Sequence, residues 1–381
     1  MTAAQRLPRA TGALRHIRTL AALAFALLGA ALDASAADRI PVVDAIGRRS
    51  DVAAPAQRVV ILFNYEEFLA TAGPQAFDRV VGFSKTVWYD WRRSIYERYL
   101  AAIPRIADLV DVGLAYDGTF SAEKVISLKP DAIIMPRWAF DSIGPAVAQF
   151  AEAGIPTVVI DYNAMRVETH VASTLAIGRV MGTEARAEEL AAFYRARVED
   201  VVARIERAAK PRPKVYVELG RMGADTYGSS FAADQWGPLI GTAGGDNIAK
   251  GQISSEAPLS PEYVLARDPD FVFIAGSNWT NAPKAVEMGF GTDRALTIAR
   301  LKPYLDRPGW RDMAAVRNGR VYAIHHGIAR TLFDFAGMQF IAKAMYPEAF
   351  ADVDPEASLR QFFATYLPVA YDGTWMTGIT P

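Results

Sequence analysis

Two stretches of this chain spell one pattern: Ser121-Ala122-Glu123-Lys124-Val125-Ile126-Ser127-Leu128-Lys129-Pro130-Asp131-Ala132-Ile133-Ile134-Met135 and Ser260-Pro261-Glu262-Tyr263-Val264-Leu265-Ala266-Arg267-Asp268-Pro269-Asp270-Phe271-Val272-Phe273-Ile274. In each, Ser stands where a helix N-cap belongs, Glu follows in the first turn where the helix dipole favours negative charge, and a short apolar helix runs up to Pro-Asp. The apolar run after Pro-Asp suits a strand buried on both faces. Pro261 falls at the first helical position, where its missing N–H costs nothing. A unit that recurs once, far along the chain, predicts two similarly built lobes, not a solenoid of short repeats.

Around the first unit the chain alternates strand and helix. Val59 to Phe63 reads as a buried parallel strand, followed by a helix from Glu66 that stops near Gly73-Pro74. Val80 to Phe83, Ala132 to Met135 and Thr157 to Ile160 read as further strands, with a helix from about Ile143 to Ala153 before the last. From about Thr183 to Ala209 the character changes to one charged amphipathic stretch, with Leu190, Phe193, Val198, Val201, Val202 and Ile205 at helical spacing. At 1.5 Å per residue this predicts a rod of roughly 40 Å. Lys210-Pro211-Arg212-Pro213 stops it, and Lys214 to Leu219 opens a second series containing Phe271 to Ala275 and Arg320 to Ile324. The expected fold is therefore α/β: two parallel-sheet lobes, 37–182 and 210–381, joined by a single long helix over 183–209.

The first 36 residues read differently. Arg6, Arg9, Arg15 and Arg18 precede an apolar run from about Leu20 to Leu32 and then Ala34-Ser35-Ala36, the pattern of a cleaved Sec-type signal peptide. Cysteine is absent, so an exported fold must stand on its core without disulfides, and no thiol is present to carry a lipid anchor. The expected location is the periplasm of a Gram-negative cell, as a soluble protein. Lys and Arg number 41 against 42 Asp and Glu, a balance that gives no reason to expect nucleic acid as a partner.

With these pieces in order, the chain resembles over nearly its full length the periplasmic substrate-binding proteins of ABC importers for ferric siderophores, heme and cobalamin. The resemblance rests on Arg58-Val59-Val60-Ile61-Leu62, both repeat units, Gly244-Gly245-Asp246-Asn247-Ile248-Ala249, Trp310 through Tyr322, and Tyr346-Pro347-Glu348. It implies two lobes bridged by one helix, with the ligand in a shallow cleft between them. It also implies that Glu123 and Glu262 dock against arginines of an inner-membrane permease, which works with a cytoplasmic ATPase. A monomer is expected.

In open α/β sheets ligands bind beyond the carboxyl ends of the strands. The loops there hold Tyr65, Trp88, Tyr89 and Arg92, then Arg137 and Trp138, in the first lobe. The second lobe offers Arg221, Tyr227, Trp279, His325 and Arg330. Aromatic walls with guanidinium donors suit a bulky, anionic ferric siderophore, because Arg both stacks and hydrogen-bonds oxygen. The arginines rank siderophore before heme, and heme before cobalamin. Outside the leader only His170, His325 and His326 remain, too few with no Cys for direct capture of a bare transition metal, and no cofactor is expected. Of the adjacent pair His325 and His326, at most one should face the cleft. An exported α/β hydrolase is the competing class; the chain has no Gly-x-Ser-x-Gly elbow and no His-Glu-x-x-His, so an enzyme is not expected.

Overall fold

In the computed structural model, which describes residues 38–379 together with Thr2, each repeat unit builds the same small device. Ser121 caps the helix Ala122–Ser127 by accepting from the Lys124 N–H at 3.2 Å, and Ser260 caps Pro261–Arg267 by accepting from Tyr263 N–H at 3.2 Å. The Asp that follows Pro in each unit does further work. Asp131 Oδ2 accepts from the backbone N–H of Gln57 and Arg58 at 2.8 and 2.9 Å, and Asp270 Oδ2 accepts from Lys214 N–H at 2.8 Å. Each Asp thus ties the repeat's own strand to the first strand of its sheet.

The first sheet runs in the order Val110–Asp111, Val80–Phe83, Val59–Ile61, Ala132–Pro136, Thr157–Ile160, all parallel. The second runs Asp246–Asn247, Lys214–Leu219, Phe271–Gly276, Val321–His325, Met376–Gly378, with only the last strand antiparallel. Neither sheet contains a strand from the other half of the chain. The central strands, apolar at every position, are buried along their length, as a sheet covered on both faces demands.

The helix Glu184–Ala208 separates the two series and ends where Ala209 turns left-handed, two residues before Pro211. It buries Ala187, Leu190, Ala191, Tyr194, Val198 and Val201. Its start is pressed against the preceding helix Val167–Met181 at Gly178, where an added Cβ would sit 2.3 Å from the Ala187 methyl; only glycine permits that approach. Its middle joins a sealed polar group. Tyr194 donates to Asp334 Oδ2 at 3.3 Å, His170 Nδ1 lies 3.5 Å from the same oxygen, and burial holds the Asp334 carboxyl well above its usual range and His170 down to about 4. An uncharged acid facing a neutral imidazole avoids a buried ion pair.

The largest apolar cluster runs from Val59 and Phe68 through Tyr194 and Val198 to Phe335 and Phe362, so both lobes and the bridging helix share one core. The described residues from Ile40 onward accordingly form a single compact unit; the expected signal segment lies outside the described residues. The helix expected from about Ile143 to Ala153 is present as Pro145–Glu152. An additional helix not expected from the sequence, Arg137–Ile143, follows directly after its strand and is separated from Pro145–Glu152 at Gly144, whose φ of 24° is open to glycine. Among the described residues no helix is long and apolar enough to cross a membrane.

Candidate functional site

The strand ends of the two sheets meet around a cavity of about 340 Å³. Its first-lobe wall includes Phe63, Trp91, Arg92, Tyr116, Trp138 and Asn163; its second-lobe wall includes Arg221, Gln235, Glu256, Trp279, His326 and Arg330. Backbone hydrogen bonds join the lobes at its edge: Thr280 N–H to Trp91 O and Gln235 N–H to Asn163 O, both 3.0 Å. Trp138 heads the helix Arg137–Ile143 and meets Phe63 edge to face at 5.4 Å. Trp279, near the matching position after the other repeat's strand, stands 6.0 Å from His326. Tyr116 lies at the rim, 77% exposed, an unusual setting for so large a ring.

Three guanidiniums line this cavity, and among the described residues none has a carboxylate within 4.0 Å. Arg92 is buried; its Nε donates to Ser277 Oγ of the other lobe at 3.2 Å, and burial together with the Arg330 charge pulls it down to about 9. Arg330 donates to Gln235 Oε1 at 2.9 Å, and its guanidinium lies 5.6 Å from the centre of the Phe63 ring. Gln235 holds that position from a left-handed backbone, φ 46°, a conformation costly for a residue with a side chain. Arg221 is exposed on the loop after Lys214–Leu219. What sets these three apart is their convergence, from both lobes, on one cavity, and that convergence is the functional signature.

His326 is held neutral by burial and by Arg330 and Arg92. Trp236 Nε1–H donates to its Nδ1 at 3.1 Å, which leaves the ring proton on Nε2, 3.1 Å from Arg330 Nη1. Two donors thus converge on a neutral ring that can accept from only one of them.

Of the sequence candidates, Arg92, Trp138, Arg221, Trp279 and Arg330 line the cavity; the others do not. Trp88 folds back on the short helix Thr86–Tyr89 and stacks on Tyr99 at 4.5 Å inside the core. Tyr65 is buried with its hydroxyl donated to Ser84 O at 2.6 Å and Leu62 O at 3.1 Å. Tyr89 is covered by Arg93 and Lys85, at 3.4 and 4.6 Å from its ring centre. Arg137 is exposed and faces Asp141 one turn on, at 3.6 Å. Tyr227 accepts from Trp310 Nε1–H at 2.7 Å in the second lobe's own core cluster. His325 ends its strand pointing inward against Trp375 and Ser277, so His326 is the one of the pair on the main cavity. The residues missed, Phe63, Tyr116, Asn163, Gln235 and Glu256, carry no distinctive sequence signal, although Trp91 sat in a loop already singled out. Among the described residues, no three His, Cys, Asp or Glu are grouped to hold a metal ion.

Residues 68–326 match the periplasmic binding protein family. The chain belongs to it. It is 38% identical to the TroA-like periplasmic binding protein FepB of Veillonella parvula, covering 90% of this chain and all of that one with a TM-score of 0.84. It is 22% identical over 377 residues to the molybdate-binding protein MolA of Haemophilus influenzae, covering 92% of this chain and 97% of MolA. An ABC transporter substrate-binding lipoprotein of Bacillus subtilis, YvrC, is 22% identical over 62% of this chain and 68% of its own. Like its family, this member is a binding component of an ABC transporter, and Glu123 and Glu262 stand exposed at the starts of its two repeat helices.

Proposed function

We propose that this periplasmic binding protein captures an anionic ferric siderophore and delivers it to an inner-membrane ABC permease. The observation that carries the reading is the convergence of Arg92, Arg221 and Arg330 from both lobes on one cavity without ion-pair partners. Guanidinium forks bind chelate oxygens in charge-assisted hydrogen bonds, while Phe63, Trp91, Trp138 and Trp279 offer faces to an organic scaffold. A bare oxyanion such as the molybdate named for the Haemophilus relative is the second reading, favoured by the same arginines. It leaves the aromatic walls without a use. Titration with ferric hydroxamate, catecholate and citrate chelates, heme, cobalamin and molybdate, followed by tryptophan fluorescence, separates these. A ferric chelate should bind more tightly than its iron-free form. Binding of molybdate alone selects the second reading, and binding of heme or cobalamin alone rejects both.

Delivery carries its own prediction. Glu123 and Glu262 are exposed, one on each lobe, and rim charges govern docking far more than they govern a distant pocket. Glu123→Lys or Glu262→Lys should each cut uptake by roughly tenfold while ligand affinity stays within about twofold. Normal transport by the doubly reversed protein would remove the docking role.

A further inference from the structure

Beneath the main cavity lies a smaller one, about 50 Å³, that shares Phe63, Arg92 and Arg330 with it. Its remaining wall includes Asn64, Glu66, Glu67, Trp88 and His325. Two of its buried polar atoms, Asn64 Oδ1 and His325 Nδ1, have no hydrogen-bond partner. The carboxyls are adjacent in the first turn of the helix Tyr65–Ala72, which Asn64 enters from a left-handed backbone at φ 58°. Glu67 is fixed: it accepts from Asn64 Nδ2 at 3.2 Å and from Leu332 N–H of the other lobe at 3.4 Å. Glu66 stands on the wall of the pit, under the influence of both Arg92 and Arg330.

We propose that Glu66 tunes the ligand charge the cleft accepts: beyond ion-pair range it offsets Arg92 and, together with Glu256 and Glu67, Arg330 while the cleft is empty, and it takes one proton from solvent when an anionic ligand occupies those guanidiniums. The inference rests on reading the cleft as an anion site and adds to it the residue that balances the charge.

The groups facing Glu66 support this exchange from every side. Its own helix supplies Tyr65 and Glu67, whose carboxyl the Glu66 charge pushes up; the segment 86–92 supplies Trp88 and Arg92; the helix Arg93–Ala102 supplies Tyr99, buried without a hydrogen-bond partner for its hydroxyl; the second lobe supplies His325 and Arg330, the latter also under the influence of Glu256. Burial keeps His325 neutral, so the two arginines are the pit's fixed cations. Burial, outweighing the two arginines, raises Glu66 to about 7, and burial with the Glu66 charge raises Glu67 to about 8. An anion that engages the arginines removes part of what stabilises ionised Glu66, so its midpoint rises further in the complex. The sign follows. Below the free-protein midpoint Glu66 is protonated with or without ligand and affinity is level; between that midpoint and the higher one of the complex each unit of pH weakens binding by up to about tenfold, because one proton must be taken up, and above the second midpoint affinity is level again.

Calorimetric titration between pH 6 and 9, with ferric citrate and molybdate as probes and in two buffers of different ionisation enthalpy, tests this. The expected result is uptake of up to about one proton near pH 8 and a loss of affinity of up to about tenfold per unit between the two midpoints, starting near pH 7. Glu66→Gln should remove most of the slope, leaving only what Glu67 contributes, and bind up to about tenfold more tightly than the parent at pH 8. A parent that takes up no proton, or a Glu66→Gln protein that keeps the full slope, overturns the proposal. If neither probe binds, the anion reading of the cleft fails with these probes, and the ligand-free protein still decides the role of Glu66. Its ¹³C carboxyl signal, identified by its loss in Glu66→Gln, should titrate near pH 7; a midpoint near the ordinary value of about 4.3 refutes it.

Discussion

Arg307→Met should destabilise the protein by about 3–5 kcal/mol, the loss expected when one partner of a buried ion pair is removed. Glu218, at the end of the strand Lys214–Leu219, is fully buried, and Arg307 meets it in a two-pronged contact at 2.7 and 2.8 Å. The same guanidinium donates to Ala224 O at 2.7 Å and Thr226 O at 2.8 Å, and is packed among the rings of Tyr227, Tyr304 and Trp310. Glu218 also accepts from Tyr216 Oη and Gly228 N–H, both at 2.9 Å. Without Arg307 a carboxylate remains in the interior with two neutral donors and no cation. The pair also pins the loop 220–228 that carries Arg221 to the cavity. Urea denaturation should show the loss, and Glu218→Leu combined with Arg307→Met should recover a large part of it, because no charge is then left stranded. A single variant within about 1 kcal/mol of the parent would contradict this account.

The largest effect on binding should come from Arg92→Ala with Arg330→Ala. A hydrogen bond to a charged group contributes about 1.5–3 kcal/mol, so losing both grips should weaken a bound ferric chelate by roughly 10²- to 10⁴-fold. Each single variant should account for about ten- to a hundredfold. Arg137→Ala is the control: exposed and set against Asp141 on the surface, it should leave affinity within about twofold. Equal losses in Arg137→Ala and Arg330→Ala would mean that the cavity described above is not the binding site.

The contrast between Arg137 and Arg330 marks where the sequence stops being informative. Elements were legible wherever a local rule decides them: Ser121 and Ser260 cap because a hydroxyl must satisfy an orphan N–H, and Val59–Ile61 lies inside because no position along it is polar. The choice between cleft and core was not, because an aromatic after a strand serves either. Trp88 and Trp91 lie three residues apart in one loop; a single helical turn at Thr86–Tyr89 sends the first into the core and leaves the second on the cavity. Glu66 was hidden for a different reason. An acid in a helix's first turn reads as a dipole partner, and only the fold brings Arg92 and Arg330 beside it.

The backbone bonds that join the lobes have a mechanical consequence. Thr280 to Trp91 and Gln235 to Asn163 stitch opposite walls together beside the ligand space, with Arg92 to Ser277 as a third thread. Since the lobes also share one core, the cleft cannot gape by rotating one half freely about the long helix; the stitches must part first. Opening the cleft therefore means breaking all three hydrogen bonds, a task suited to a partner that grips both lobes at once.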